Sequence, residues 1–190
     1  MTTTMTKASG ITTWTIDPSH SNVEFAVRHM MIATVKGRFG DVAGTLVLDE
    51  ANPPRSRVEV RIQAASIDTR TEQRDQHLRS ADFFDVARFP EITFASSRVE
   101  PAGDAYDVTG RLTMHGVARE VVLRAAEEGR TRDPWGNDRV AFSATAKLNR
   151  KDFGLGWNQL LETGGLVVGD DIRIVLDVEL VRQADEAAAA

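Results

Sequence analysis

The sequence predicts an antiparallel β-barrel of eight or nine strands with one or two short helices. The first observation is a period of two: apolar residues occupy every second position in segments 57–64 and 172–181, as in strands with one buried and one solvated face. The second is turn chemistry between such segments, for example Asp133-Pro134-Trp135-Gly136-Asn137. The third is length. Several segments reach ten residues, which suits a closed barrel better than a sheet with exposed edges.

The strand candidates follow the chain in order. They are residues 13–17, 20–29, 35–48, 57–64, 92–100, 106–114, 117–130, 139–148 and 172–181. Gly37, Gly40 and Gly44 fall inside the long 35–48 segment, where glycine supplies the bend that barrel closure needs. The clean alternation of the segments predicts antiparallel pairing, because strands of a parallel sheet are buried on both faces.

One segment breaks the period of two. From Thr69 to Asp85 the chain has a capping-box match, Thr69-x-x-Glu72, followed by polar helix formers and Phe83-Phe84. We expect a short solvated helix whose apolar end docks on the barrel. A second helical turn is expected at 157–161.

Composition and length indicate a single domain. The chain has 190 residues and a formal net charge of −5, which argues against a nucleic-acid partner. It contains no cysteine, so disulfides and Cys-ligated metals are excluded. We expect one barrel domain at 13–182, a flexible segment at 1–12 and a disordered tail at 183–190. No apolar run spans a membrane and no secretory signal is visible, so a cytoplasmic location is expected.

The four histidines do not form a metal-binding motif. His20, His29, His77 and His115 lack the spacings that metal sites use. We expect no metal site, and we expect His20 and His115 to make turn or strand-end hydrogen bonds. His29 shares the parity of Val23, Phe25 and Val27, which points it toward the interior near a barrel mouth.

A polar cluster on the predicted helix has two interpretations. Arg74, Asp75, His77 and Arg79 fit a general acid–base group or a head-group clamp at a cavity opening. They equally fit a solvated helix face with Asp75 and Arg79 paired at i,i+4. No nucleophile, phosphate loop or other catalytic motif accompanies the cluster. The sequence therefore favours a protein that is not an enzyme.

The interior of the barrel is open to two interpretations. Inward positions mix large residues such as Phe39 and Phe142 with small ones such as Ala64 and Ala144. The barrel is either filled by its own side chains or holds one small ligand.

Five blocks of the chain resemble the YceI-like family. They are residues 13–30, 35–49, 66–96, 108–123 and 148–158, and the longest carries Arg74-Asp75-x-His77-Leu78-Arg79-Ser80-x-Asp82-Phe83-Phe84-Asp85 and Pro90. The resemblance implies an extended, eight-stranded, lipocalin-like barrel. It also implies a hydrophobic channel that binds a polyisoprenoid, such as an isoprenoid quinone or a polyprenyl chain, and frequently a homodimer. Many members of the family carry a secretory signal; none is visible in this sequence, so a cytosolic carrier or store is expected here.

These observations lead to a hypothesis of lipid binding for transport or storage, with the lipid as ligand and no other cofactor. The expected ligand-binding residues are Phe25, Val27, His29, Phe39, Ile62, Phe94, Leu112, Met114, Phe142 and Leu176. The expected head-group residues are Arg74, His77 and Arg79.

Two alternatives stay open at this point. One is an enzyme acting on an isoprenoid or small apolar substrate, with Asp75 and His77 as its acid–base pair. The other is a filled barrel that serves as an interaction module, which an internal volume below about 300 Å³ would favour.

Overall fold

The computed structural model describes residues 10–162 and 165–184, and their strands join into one continuous sheet that closes on itself. The strands are β1 (Ile11–Ile16), β2 (Asn22–His29), β3 (Ala33–Phe39), β4 (Val42–Asp49), β5 (Arg57–Gln63), β6 (Ile67–Asp68), β7 (Glu91–Ala102), β8 (Ala105–Met114), β9 (Val117–Arg132), β10 (Asp138–Asn149) and β11 (Val168–Arg182). The one α-helix of the described residues is α1 (Glu72–Arg79).

The barrel has eight antiparallel strand paths, because two paths are each built from two consecutive strands. β1 and β2 follow one another around a 3-10 turn at Pro18–His20, and β3 follows into β4 across Gly40 and Asp41. β1 pairs with β4, and β2 pairs with β3. The predicted eight-stranded antiparallel barrel is therefore confirmed, and the expected bend in segment 35–48 lies at Gly40.

The last strand closes the barrel on the first path. The amino-terminal part of β11 pairs with β2, where Leu176 lies opposite Val23, and its carboxyl end pairs with β1, where Leu180 lies opposite Ile16. Between these ends the order runs β4, β5, β7, β8, β9, β10 and β11, all antiparallel neighbours. A closed wall leaves few unpaired edges, which is how long apolar-faced strands avoid aggregation.

The first strand starts earlier than predicted. Ile11 and Thr12 belong to β1, and Thr12 is buried and accepts a hydrogen bond from the Trp14 indole at 2.8 Å. These two residues therefore belong to the barrel and not to a flexible segment 1–12. Residues 1–9 and 185–190 of the predicted segments lie outside the described residues.

The helix is shorter than the segment predicted for it, and it is capped differently. The left-handed backbone of Arg70 delays the start of α1, so that Thr71 is the N-cap. The Thr69 hydroxyl does not cap the helix, because it donates to the Asp75 carboxylate at 2.5 Å. The predicted capping box of Thr69 and Glu72 is therefore wrong. Phe83 and Phe84 follow the helix in turns, and the ring of Phe84 packs against the barrel core as expected.

The second helical turn, predicted at 157–161, is also wrong. Residues 157–159 have no regular structure and Leu160 makes an isolated bridge to Leu166. The buried Arg150 guanidinium holds this segment open by donating to the carbonyls of Leu155, Trp157 and Gly169. Those carbonyls are thereby satisfied by a side chain, without helical hydrogen bonds.

The segment between β5 and β7, which contains α1, covers one end of the barrel, here called the α1 end. Beneath it the lumen is filled by side chains. Ile67 and Phe39 are buried, and the Phe39 ring contacts those of Phe25 and Phe84 at centroid distances of 5.7 and 5.8 Å. The opposite end, where the β4–β5 loop and the β7–β8 and β9–β10 turns lie, is here called the mouth. Within residues 10–162 and 165–184, α1 is far too short and polar to span a bilayer.

Candidate ligand-binding cavity

An apolar cavity of about 150 Å³ occupies the half of the lumen that adjoins the mouth. Its wall is contributed by all eight strand paths together with the 3-10 turn of the β4–β5 loop. The apolar side chains that line it are Ile16, Leu46, Leu48, Pro53, Val58, Val60, Phe94, Val99, Tyr106, Val108, Leu123, Ala125, Phe142, Ala144, Leu176, Val178 and Leu180. The lining is therefore continuous hydrocarbon around the whole circumference, which suits an apolar ligand.

Strand alternation and residue size together create this space. Ala144 of β10 lies opposite Ala125 of β9 and Leu176 of β11, so two small side chains face the lumen side by side. On the far wall, Gly110 of β8 lets the Phe94 ring lie against the strand, since a Cβ at Gly110 would come within 2.5 Å of that ring. Because the side chains on one wall are small and the Phe94 ring lies flat against the other, the space between the two walls is not filled.

Four charged side chains interrupt the hydrocarbon near the mouth: Arg57, and a group of three formed by Glu50, Glu127 and Arg130. Glu50 follows β4, whereas Glu127 and Arg130 belong to β9. Glu127 continues the inward parity of Leu123 and Ala125. A register shift then places Arg130 opposite Val140, while Glu127 lies opposite Phe142. This β-bulge adds one residue to β9 and so brings two residues three positions apart onto the same inner face.

The three side chains form one ion cluster. Arg130 Nε and Nη2 donate to the two carboxylate oxygens of Glu127 at 2.7 and 3.0 Å, and Nη1 donates to Glu50 Oε1. The hydrogen bonds to Glu127 and Glu50 raise the pKa of Arg130 above its ordinary value despite its partial burial. The guanidinium is therefore always charged.

One oxygen of this cluster has no partner. The Glu50 side chain is only 4% exposed, and its Oε2 is buried without a hydrogen bond to any described residue. A buried acceptor left unpaired costs free energy, more so when it is charged. The cavity therefore contains an unsatisfied acceptor at its polar edge.

Three of the ten predicted ligand-binding residues line the cavity, namely Phe94, Phe142 and Leu176. Five others do not line it. Phe39 is buried in the hydrophobic core, and Phe25, Ile62, Leu112 and Met114 are among the half-buried side chains packed against that core, as Phe142 and Leu176 also are. These five point inward as their parity predicts, but they fill the lumen and do not surround the cavity.

Val27 and His29 do not line the cavity. Val27 lies opposite Val35 and Ile172, and His29 lies opposite Ala33 and Val168 at the end of β2. This end of the hairpin is on the side of the α1 end. His29 therefore lies near an end of the barrel, as its parity predicted, but this is the α1 end and not the mouth.

The predicted head-group residues also lie at the α1 end. Arg74 donates to the Thr69 hydroxyl and carbonyl at 2.7 and 2.8 Å. Arg79 donates to the carbonyls of Ala65 and Ile67, both at 2.9 Å. His77 is bonded to Asp82 at 2.8 Å and packs edge-on against the Trp157 indole. In the structure these side chains anchor the α1 segment, and the barrel core separates them from the cavity.

The acid–base pair of the enzyme hypothesis does not form. Asp75 is buried and its Oδ1 accepts from the Thr69 backbone and hydroxyl, whereas His77 is bonded to Asp82. The two groups therefore serve separate local contacts.

A second cluster near the bend of the first path joins Asp17, His20 and Glu179, whose ligand atoms lie within 4.8 Å of one another. Arg139 Nη1 donates to both carboxylates, to Asp17 at 2.8 Å. Arg139 therefore already neutralises the two carboxylates that a bound metal cation would need. His20 and His115 make the expected turn contacts, to Asp17 at 3.0 Å and to the Phe153 carbonyl at 3.2 Å.

The chain is similar to known proteins over most of its length. The family model of the YceI-like domain matches residues 14–180. The chain belongs to the YceI-like family. Protein YceI of Salmonella newport is 40% identical over 164 residues, which cover 86% of this chain and 83% of that protein. The match spans almost the entire barrel, so the family resemblance of the sequence is confirmed.

Two solved structures share the fold of this YceI-like domain. The Campylobacter jejuni YceI protein superposes with a TM-score of 0.70 at 30% identity, covering 83% of this chain and 90% of that one. A polyisoprenoid binding domain from Saccharophagus degradans, implicated in plant cell wall breakdown, gives a TM-score of 0.69 at 14% identity, covering 92% and 100%.

Sequence reasoning missed the Glu50, Glu127 and Arg130 cluster of this YceI-like domain. Strict alternation along β9 places Glu127 on the inner face and Arg130 on the outer one. It assumes a strand without a bulge, and β9 has one between these residues. Gly129 was the available signal, since a glycine inside a strand often marks a bulge. Glu50 lies beyond the end of a strand, where parity no longer predicts direction.

Proposed function

We propose that this YceI-like domain binds the apolar chain of an isoprenoid lipid, an isoprenoid quinone or a polyprenyl lipid, in the cavity at the mouth, for transport or storage. The observation that carries the proposal is the continuous hydrocarbon lining inside a closed barrel. The polyisoprenoid binding domain from Saccharophagus degradans, which has the same fold, supports the ligand class.

Burial of hydrocarbon supplies the affinity. Each CH₂-sized group removed from water contributes about 0.8 kcal/mol. The ordering of a flexible chain opposes this gain, so the sum over a long tail greatly overstates the affinity. Such a site needs a dry wall of the right shape more than it needs polar contacts, which is why no sequence motif marks it.

The size of the cavity defines how the chain enters. At about 150 Å³ it is smaller than the roughly 300 Å³ of typical ligand pockets, and it suits a single benzene-sized group. By the volume criterion given above, the barrel is closer to the filled alternative than to a barrel with a preformed pocket for a whole chain. A long chain therefore inserts its end into the cavity and extends further only when half-buried side chains at its inner end, such as Leu112 behind Phe94, turn aside.

The decisive experiment fills the cavity without changing the surface. Ala144 lines the cavity and is 8% exposed, whereas its neighbour Thr145 is exposed on the outer face of the same strand. We expect Ala144→Phe to weaken uptake of a fluorescent polyprenyl analogue by at least about tenfold, and Thr145→Phe to leave it unchanged. Equal uptake by both folded variants would contradict the proposal.

The natural ligand is identified by extraction. Protein purified without detergent is extracted with organic solvent, and the extract is analysed by mass spectrometry. We expect a prenyl lipid from the parent protein and a depleted extract from Ala144→Phe. An empty extract together with no uptake of the analogue would exclude isoprenoid binding.

The homodimer and the cytoplasmic location stay predictions. Sedimentation equilibrium of the purified chain measures the first, and fractionation of the cells that produce it measures the second.

A further inference from the structure

The ion cluster at the mouth leaves one carboxylate oxygen without a donor. Each Arg130 nitrogen already donates to a carboxylate oxygen of Glu50 or Glu127. Glu50 Oε2, by contrast, is buried and accepts no hydrogen bond from the described residues. A carboxylate is an acceptor only. The group that would complete the cluster is therefore a hydrogen-bond donor.

The position of this oxygen connects it to the cavity. Glu50 lines the same space as the hydrocarbon residues, and its side chain is 4% exposed, so bulk water does not solvate it. A chain that inserts its apolar end toward Phe94 leaves its polar end near Glu50. A donor on that polar end satisfies the carboxylate in surroundings where a hydrogen bond to a charged group is strong.

A phosphate would not satisfy Glu50, because it would bring two anions into contact at low local polarity. Arg57 and Arg130 line the same cavity, and each guanidinium has more N–H groups than the hydrogen bonds it makes to described residues. The preference that Glu50 itself imposes is therefore for a donor over a neutral acceptor.

We propose that Glu50, held in place by Arg130 and Glu127, is a head-group site that selects isoprenoid ligands ending in a hydroxyl over those ending in an ether or a carbonyl. For a quinone ligand this means the hydroquinone is preferred over the oxidised form. The inference rests on the proposed function, because it assigns the polar end of a ligand whose chain occupies the cavity.

The test compares ligands that share one chain. Geranylgeraniol and its methyl ether compete with a fluorescent polyprenyl analogue for the purified protein. We expect the alcohol to bind about tenfold more tightly than the ether. Equal binding of alcohol and ether would overturn the head-group assignment while leaving chain binding intact.

A pair of variants assigns the preference to one carboxylate. Glu50→Gln keeps the shape but supplies an amide that also donates, so the alcohol-to-ether ratio should fall to near one. Glu59→Gln, on the exposed outer face of β5, should keep the parent ratio. An unchanged ratio in Glu50→Gln would overturn the assignment. If none of the prenyl compounds competes even with the parent protein, the proposed function itself fails.

Discussion

The two halves of the lumen are lined by strands of the same barrel, yet the half at the α1 end is filled by side chains and the half at the mouth contains a cavity. At the α1 end, Phe25 and Phe39 from the wall meet Phe84 from the inserted segment, and the three rings occupy the space. At the mouth, Ala125 and Ala144 face the lumen, and the β4–β5 loop borders the cavity without filling it. The comparison teaches that the segment carrying α1 determines how deep the cavity extends.

The largest expected effect is a loss of stability when the packing of the filled half at the α1 end is disrupted. Phe39→Ala removes the central ring of the three and leaves a hole that rigid strands cannot close, so we expect a loss of about 3–5 kcal/mol in the free energy of unfolding. Urea denaturation measures it. The matched change at the mouth is Phe142→Ala. That ring is half-buried and already borders empty space, so a loss of about 1–2 kcal/mol is expected. Equal losses would mean that the two halves are packed alike.

The next largest effect concerns Leu112, which lies at the boundary between the filled half and the cavity. Leu112 packs against the core at the α1 end and also against the cluster around Phe94. Leu112→Ala should cost about 2 kcal/mol of stability while lengthening the cavity. We therefore expect the ratio of C20 to C10 prenyl alcohol affinity to rise by roughly tenfold, because more chain is buried. Competition with the fluorescent analogue measures this ratio.

A control for this variant is Leu123→Ala, which widens the cavity within the mouth half without opening the boundary. It should change affinity for both chain lengths alike. The same ratio in Leu112→Ala and in the parent protein would show that the boundary does not limit chain length.

The smallest effect concerns pH and the bend between β1 and β2. Hydrogen bonds from Ser19, His20 and Arg139 hold the pKa of Asp17 below its ordinary value of 3.8. The folded state therefore binds this proton less readily than the unfolded state. Its contribution to stability is complete above the unfolded pKa, and it is lost as the pH falls below about 4.

Thermal unfolding followed from pH 7 downward measures this contribution. Asp17→Asn should lower the melting temperature near neutral pH and flatten its decline in acid. Asp104→Asn, in the exposed β7–β8 turn, should reproduce the parent profile. A parent-like acid decline in Asp17→Asn would assign the pH dependence to other carboxylates.

Alternation of side chains predicted the barrel and the inward face, and it found Phe94, Phe142 and Leu176 in the cavity. It could not separate these from Phe25 and Phe39, because parity defines which face a residue occupies and not its depth along the barrel axis. The depth depends on where the inserted segment docks, which is a long-range contact.

Local patterns failed where a neighbour far along the chain competed for the same group. Thr69 matched a capping box, but the buried Asp75 carboxylate takes its hydroxyl. Residues 157–161 resembled a helical turn, but Arg150 satisfies the backbone of that segment from its side. Neither competitor is visible within a short window of sequence.

The bulge in β9 also has a consequence for how such domains diverge. Because one extra residue turns Arg130 toward the lumen, the deletion of a single codon there would exchange every later side chain of that strand between the inner and outer faces. The apolar wall, built from the other strands and from Leu123 and Ala125 before the bulge, would be untouched. A lineage can in this way change the chemistry at its entrance in one genetic step and keep its interior.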